Sequence, residues 1–197
     1  MLSRSQALEL MQEYTASDSL RKHMLAVEGT MRAYADRFGE DVEAWGLAGL
    51  LHDFDYERWP NETHAPDREH PAEGVRILRE LGVPEPILEA ILGHARYSGV
   101  PRETLMAKTL FAVDELTGLI TATALVRPSK SLNEVDVRSV QKKMKDKAFA
   151  RGCNRDDIVE GAAALGIDLS EHIQFVLDAM QARADLLGLA GVSVSPA

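Results

Sequence analysis

Apolar residues recur at helical spacing along most of the chain, and that spacing predicts a succession of helices. Ser3 or Ser5 can cap a first helix running to about Tyr14, with Leu8, Leu10 and Met11 on one stripe. A longer helix is expected from about Ser19 to Phe38, burying Leu20, Met24, Val27, Met31, Tyr34, Ala35 and Phe38, with Gly39 ending it. Asp41 starts a third, whose apolar face (Ala44, Leu47, Ala48, Leu51) ends at His52-Asp53. The region from Phe54 to Glu69 has no helical period. A loop of that length in a compact domain is often functional. Pro71 suits the first turn of a fourth helix to about Leu81, and a short one follows from Pro86 to about His94. Thr104 to Leu125 reads as a long apolar helix ending before Pro128. Polar and lysine-rich residues from about Glu134 to Arg151 predict a solvated helix. Asn154 can cap another to near Gly166. The last runs from about Ser170 to Leu187, before a frayed tail from Val192 to Ala197. No strand alternation is long enough to count. The expectation is one all-α domain of helices around a polar centre, residues 1–197, with a C-terminal helical extension over about 126–190.

Composition narrows this picture only slightly. A chain of 197 residues can bury a full core without disulfides, and its only cysteine, Cys153, excludes a framework within the chain. Cys153 sits in a polar turn and reads as structural or idle. A single cysteine, no signal-peptide pattern at Met1-Leu2-Ser3-Arg4 and no membrane-length apolar run make a cytoplasmic enzyme the expectation. The net charge of −9 argues against broad nucleic-acid binding, but not against an anionic small molecule. A homo-oligomer is compatible with the sequence, which does not specify one.

Candidate chemistry is concentrated at the end of the third helix. A carboxylate beside an imidazole is costly in an apolar setting unless something pairs with it. Asp53 can simply cap a helix end. Alternatively a metal ion is the pairing, with His52 giving a nitrogen and Asp53 an oxygen able to bridge two cations. Asp114 is the second anomaly, set among Phe111, Ala112, Val113 and Leu116. Either it faces solvent beside Glu115 or it too has a cationic partner. Of the other histidines, His23 lies on the second helix, His70 opens the fourth and His94 ends the fifth. His64 lies in the long loop, and His172 beside Glu171 reads as a surface residue.

Taken in order, His23, His52-Asp53, His70, His94 and Asp114 resemble the HD superfamily of metal-dependent phosphohydrolases, in the dinuclear form with the pattern H…HD…H…H…D. His70-Pro71-Ala72-Glu73-Gly74 is similar to that family's H-x-x-x-G step, and Met106 to Leu116 to its last ligand helix. The resemblance covers about residues 17–125. It departs from the His-Asp-Ile-Gly subgroup, since Phe54-Asp55 follows the pair here. What the resemblance implies is an HD-domain-like helical bundle around a metal centre. One divalent transition metal would be held by His23, His52, Asp53 and Asp114, and a second by Asp53, His70 and His94. Fe or Mn is favoured, with Zn, Co and Ni also suited. His52 and Asp53 would be the catalytic centre, where a metal-activated water hydrolyses a phosphomonoester or phosphodiester such as a nucleotide. Lys108, Arg127, Lys130 and His64 are the candidates to hold the anionic substrate. The same ligand set also resembles di-iron oxygenases that cleave C–C or C–P bonds, and a non-catalytic sensor of this fold is a third reading.

Overall fold

The computed structural model describes residues 2–192; the end of the tail predicted as frayed, from Ser193 to Ala197, lies outside them. The described residues form ten α-helices and contain no strand. They are α1 (Arg4–Tyr14), α2 (Asp18–Phe38), α3 (Val42–Leu51), α4 (Ala72–Glu80), α5 (Glu85–His94), α6 (Leu105–Leu125), α7 (Val137–Lys145), α8 (Arg155–Ala164), α9 (Leu169–Gln181) and α10 (Ala184–Leu187). The chain divides into two compact units, Met1–Phe111 and Ala112–Ala197, and the division falls within α6.

The first unit is built on α2 packed along α3. Helix α2 starts where Ser17 accepts from the Leu20 amide, and ends where Gly39 takes a left-handed φ of 73° that a side chain would resist. Helix α3 starts with Asp41 capping the amides of Glu43 and Ala44. Every residue of α3 from Trp45 to Leu51 is buried, so the helix has no polar face and needs neighbours all round. Helices α1, α2 and α5 provide them. Burial of Leu47, Leu50 and Leu51 contributes about 1.5–3 kcal/mol each. The approach is close at Gly49, where a Cβ would lie 2.9 Å from the Glu28 backbone.

A chain of charges runs through this packing. Glu28, on the inner face of α2, is fully buried. Its carboxylate accepts from Arg4 at 2.6 and 2.9 Å and from Arg32 at 2.9 Å. Arg32 in turn donates two bonds to Glu43, at 2.6 and 2.9 Å. Four side chains thus tie α1, α2 and α3 together around one desolvated carboxylate.

In the second unit, α9 is the helix that α7, α8 and α10 all touch. Two expected boundaries change here. The lysine-rich helix spans only Val137–Lys145, not Glu134 to Arg151. Residues beyond it turn instead, because the Arg155 guanidinium collects the carbonyls of Phe149, Ala150 and Cys153. The last helix is broken into α9 and α10 at Ala182 and Arg183, where Arg183 leaves helical geometry with φ −124° and ψ 16°. His172 is not a surface residue: it is fully buried, and its Nε2 bonds the Ala112 carbonyl at 3.0 Å. Cys153 also has a partner, donating to the Glu115 carbonyl at 3.3 Å. Burial pushes its thiol up to about 12, which keeps it unreactive. No helix among the described residues is long and apolar enough to cross a membrane.

Candidate metal centre

Asp53 follows directly on the end of α3, where His52 is the last, fully buried residue of the turn. Each oxygen of its carboxylate faces a pair of imidazole nitrogens. Oδ2 lies 3.7 Å from His23 Nε2 and 3.4 Å from His52 Nε2. Oδ1 lies 3.3 Å from His70 Nε2 and 3.5 Å from His94 Nε2. Within the pairs, the nitrogens of His23 and His52 are 3.2 Å apart, and those of His70 and His94 also 3.2 Å. Helix α2 supplies the first histidine, the end of α3 the second, the turn before α4 the third and the end of α5 the fourth.

Hydrogen bonds on the far sides of the rings decide what these nitrogens offer. A backbone carbonyl only accepts, so His52 Nδ1 must donate to Gly49 at 2.8 Å, and His94 Nδ1 to Ile91. His70 Nδ1 faces the Asp55 carboxylate at 2.7 Å and donates likewise. In the neutral rings, Nε2 is then left with its lone pair turned to the centre. At the His70–His94 pair, two lone pairs and a carboxylate oxygen converge, and only a cation satisfies all three. A proton can stand in for it. Burial alone disfavours a His70 imidazolium, but Asp55 and Asp53 outweigh burial and raise its pKa. Burial likewise opposes charge on Asp53, yet the imidazoles of His52, His94 and His70 hold its carboxyl well below the usual range.

The spacing suits a metal. Ligand atoms about 2.1 Å from one ion sit roughly 3.0 Å apart in octahedral and 3.4 Å apart in tetrahedral geometry. The 3.2 Å nitrogen pairs fall between these limits. Asp53, His70 and His94 form a compact three-ligand group of nitrogen and oxygen donors.

Asp55 was missed by the sequence reading. It is buried, and besides His70 it accepts from the Gly74 amide at 2.7 Å. A Cβ on residue 74 would lie 2.6 Å from the Asp55 carboxyl carbon, which gives the His70-x-x-x-Gly74 spacing a physical reason. The glycine leaves room for the carboxylate that orients the histidine four residues earlier. Carboxylates behind metal-bound histidines typically change affinity by about 10–100-fold. Asp55→Ala is therefore expected to weaken metal binding roughly within that range. Calorimetric titration of metal into chelator-stripped protein checks this, and an unchanged isotherm would remove Asp55 from the site.

The segment between α3 and α4 is turned, not helical, as its lack of period predicts. The His70 amide donates to the Trp59 carbonyl at 2.7 Å, so the loop leaves and returns at one point. The Glu69 carboxylate organises the excursion by accepting from Thr63 and from the Ala65 amide. Tyr97 donates to the His70 carbonyl at 3.0 Å and accepts from Asn61 at 2.9 Å. Burial pushes its phenol up to about 12, so it stays a donor. His64 is exposed in this loop, with left-handed φ 54° and its ring 4.8 Å from that of Tyr97.

The remaining predicted residues lie on α6 or just after it. Lys108 is half-buried in the first unit's part of the helix. Asp114 is half-buried in the second unit's part, between the buried Val113 and Leu116. Arg127 is half-buried just past the helix end, and Lys130 is exposed with φ 54°.

A family model described as HD domain matches residues 20–119, just over half of the chain. The matched span contains His23, His52, Asp53, His70, His94 and Asp114. No solved structure matches the chain.

Proposed function

The chain belongs to the HD domain family, and on that premise we propose that it is a metal-dependent phosphohydrolase acting on a small phosphomonoester or phosphodiester, such as a nucleotide. The observation carrying this reading is the Asp53 carboxylate, whose two oxygens each face a separate pair of imidazole nitrogens. Such an arrangement suits two ions sharing one bridging ligand. His23 and His52 would hold the first, with Asp114 as its further carboxylate. That assignment of Asp114 rests on its place in the order of the matched family span. His70 and His94 would hold the second.

Bound divalent metals supply Lewis acidity and an activated water. The chain's own residues do the positioning. Asp53 keeps both nitrogen pairs within reach of one carboxylate. The Gly49 and Ile91 carbonyls fix the tautomers of His52 and His94, and Asp55 fixes that of His70. The Tyr97 hydroxyl holds the backbone at His70. The single thiol, Cys153, is held protonated by burial and is no candidate nucleophile. Of the sequence candidates His64, Lys108, Arg127 and Lys130, His64 and Lys108 are the ones we propose as contacts to the substrate's anionic group.

Elemental analysis of protein purified without added metal, followed by assay on a phosphoester panel with Mn, Fe, Co and Mg, tests the reading. The expected result is about two transition-metal ions per chain, as a dinuclear site requires, with metal-dependent phosphate release. Iron with oxygen uptake and no hydrolysis would overturn it in favour of an oxygenase. Absence of metal, with no response to added metal, would leave only the fold.

A further inference from the structure

The second unit has a cleft of about 250 Å³ lined by Thr123, Val126, Arg127, Ser139, Lys142 and Lys143. Three of these six residues are cations and none is an acid. In a chain of net charge −9 this is a local reversal of sign. Basic residues in the last turn of α7 complement the helix dipole, which accounts for Lys142 and Lys143 as isolated residues. It does not account for Arg127, which comes from the end of another helix and lines the same space.

Among the described residues, none of the three cations has a carboxylate within ion-pair distance. The Lys143 ammonium lies over the Phe149 ring at 4.0 Å, which orients the charge without neutralising it. Asp136 caps α7 by accepting from the Ser139 amide at 2.8 Å, and although the Arg127 charge helps to hold its carboxyl below the usual range, the two form no ion pair. Arg127 Nε is withdrawn from solvent and has no hydrogen-bond acceptor. A buried guanidinium N–H without an acceptor is unfavourable, and a phosphate oxygen is a natural acceptor for it.

Within the second unit, the cleft lies towards the end of α6 away from Asp114. Eleven residues of α6 separate Asp114 from the helix end at Leu125, which is roughly 16 Å of rise. A single phosphate held by a metal on Asp114 does not span that length.

We propose that the cleft between the end of α6 and α7 is a second anion site, taking the di- or triphosphate group of a small molecule. Arg127 supplies a planar fork for two oxygens and Lys142 and Lys143 supply point charges, so that three cations meet an oligophosphate carrying about three negative charges. The site is built from the cleft's own residues in the second unit, and its occupancy does not depend on the chemistry proposed at the metal centre.

Isothermal titration of pyrophosphate and of ADP into the chelator-stripped 197-residue protein, in which the metal centre holds no ion for a phosphate, tests this, with Arg127→Gln, the double variant Lys142→Gln/Lys143→Gln, and His94→Ala at the metal centre. Binding is expected to weaken roughly tenfold or more in the first two proteins, the cost of one strong charge-assisted contact. It should be unaltered in His94→Ala. Equal binding of pyrophosphate and ADP would assign the affinity to the phosphates, and tighter binding of ADP would add a nucleoside contact to the same site. Absence of binding at millimolar pyrophosphate overturns the proposal. So does binding that survives both cleft variants, or binding that is lost in His94→Ala.

Discussion

Protein carrying Asp53→Ala is expected to lose metal from both halves of the centre at once. Each oxygen of this carboxylate faces its own pair of imidazoles, so one substitution removes the ligand that both ions would share. Affinity should fall by more than the roughly 100-fold that marks the upper range for outer-shell partners. Activity should fall by about a thousandfold or more, equivalent to about 4 kcal/mol of transition-state stabilisation. Asp53→Asn separates the two halves. It keeps the shape and one carbonyl oxygen, so one ion is expected to persist at reduced affinity. Metal analysis of the two variants, with circular dichroism to establish that the helices remain, is the measurement. Two ions retained in Asp53→Ala would mean that the carboxylate is not the bridge.

The second large effect concerns stability. Glu28→Ala should destabilise the protein by about 3–5 kcal/mol, the range for breaking a buried ion pair from one side. The reason is what remains behind. The Arg32 side chain is only 12% exposed, and it would keep its charge while losing one of its two carboxylates. Arg4 is 37% exposed and can turn to water, so its share of the loss is smaller. Denaturant unfolding of wild type, Glu28→Ala and Glu28→Gln gives the comparison. The glutamine variant should lose less, since its carbonyl can still accept one bond. A loss under about 1 kcal/mol in Glu28→Ala would mean that the network relaxes freely and does not fix α1 against α2.

Glu28 also marks a limit of reading by pattern. It lies four residues after Met24 and three before Met31, on the very stripe whose apolar members announced α2. The period of that stripe puts position 28 on the buried face, although a lone charge there argues for the surface. His172 is a parallel case. Its neighbour Glu171 suggested the surface, whereas the buried positions Ile173, Val176, Leu177 and Met180 run past it on the same face. In both cases the face, not the residue type, predicted burial. The helices and the His/Asp order of the family pattern were legible because helix ends and apolar stripes are local properties. Asp55 was not, because it sits in a turn without period, where sequence gives no face. Its only trace was a departure from the Ile-Gly that follows the His-Asp pair in one subgroup, and the glycine four residues after His70. The early end of α7 was illegible for a different reason: it depends on Arg155 collecting carbonyls from a segment that precedes it in sequence.

The bond between the Trp59 carbonyl and the His70 amide closes the intervening loop on itself. Residues 60–69 thus form an excursion whose two ends are joined by a backbone bond, and most of its side chains are exposed. Lengthening such a loop is cheap: a doubling adds only about 0.6 kcal/mol of closure entropy. The histidine at its root is meanwhile held by Tyr97 and Asp55. The excursion is therefore a replaceable cassette. Descendants of this sequence can exchange much of it for a segment of different length, provided the bonds from Tyr97 and Asp55 to His70 stay in place.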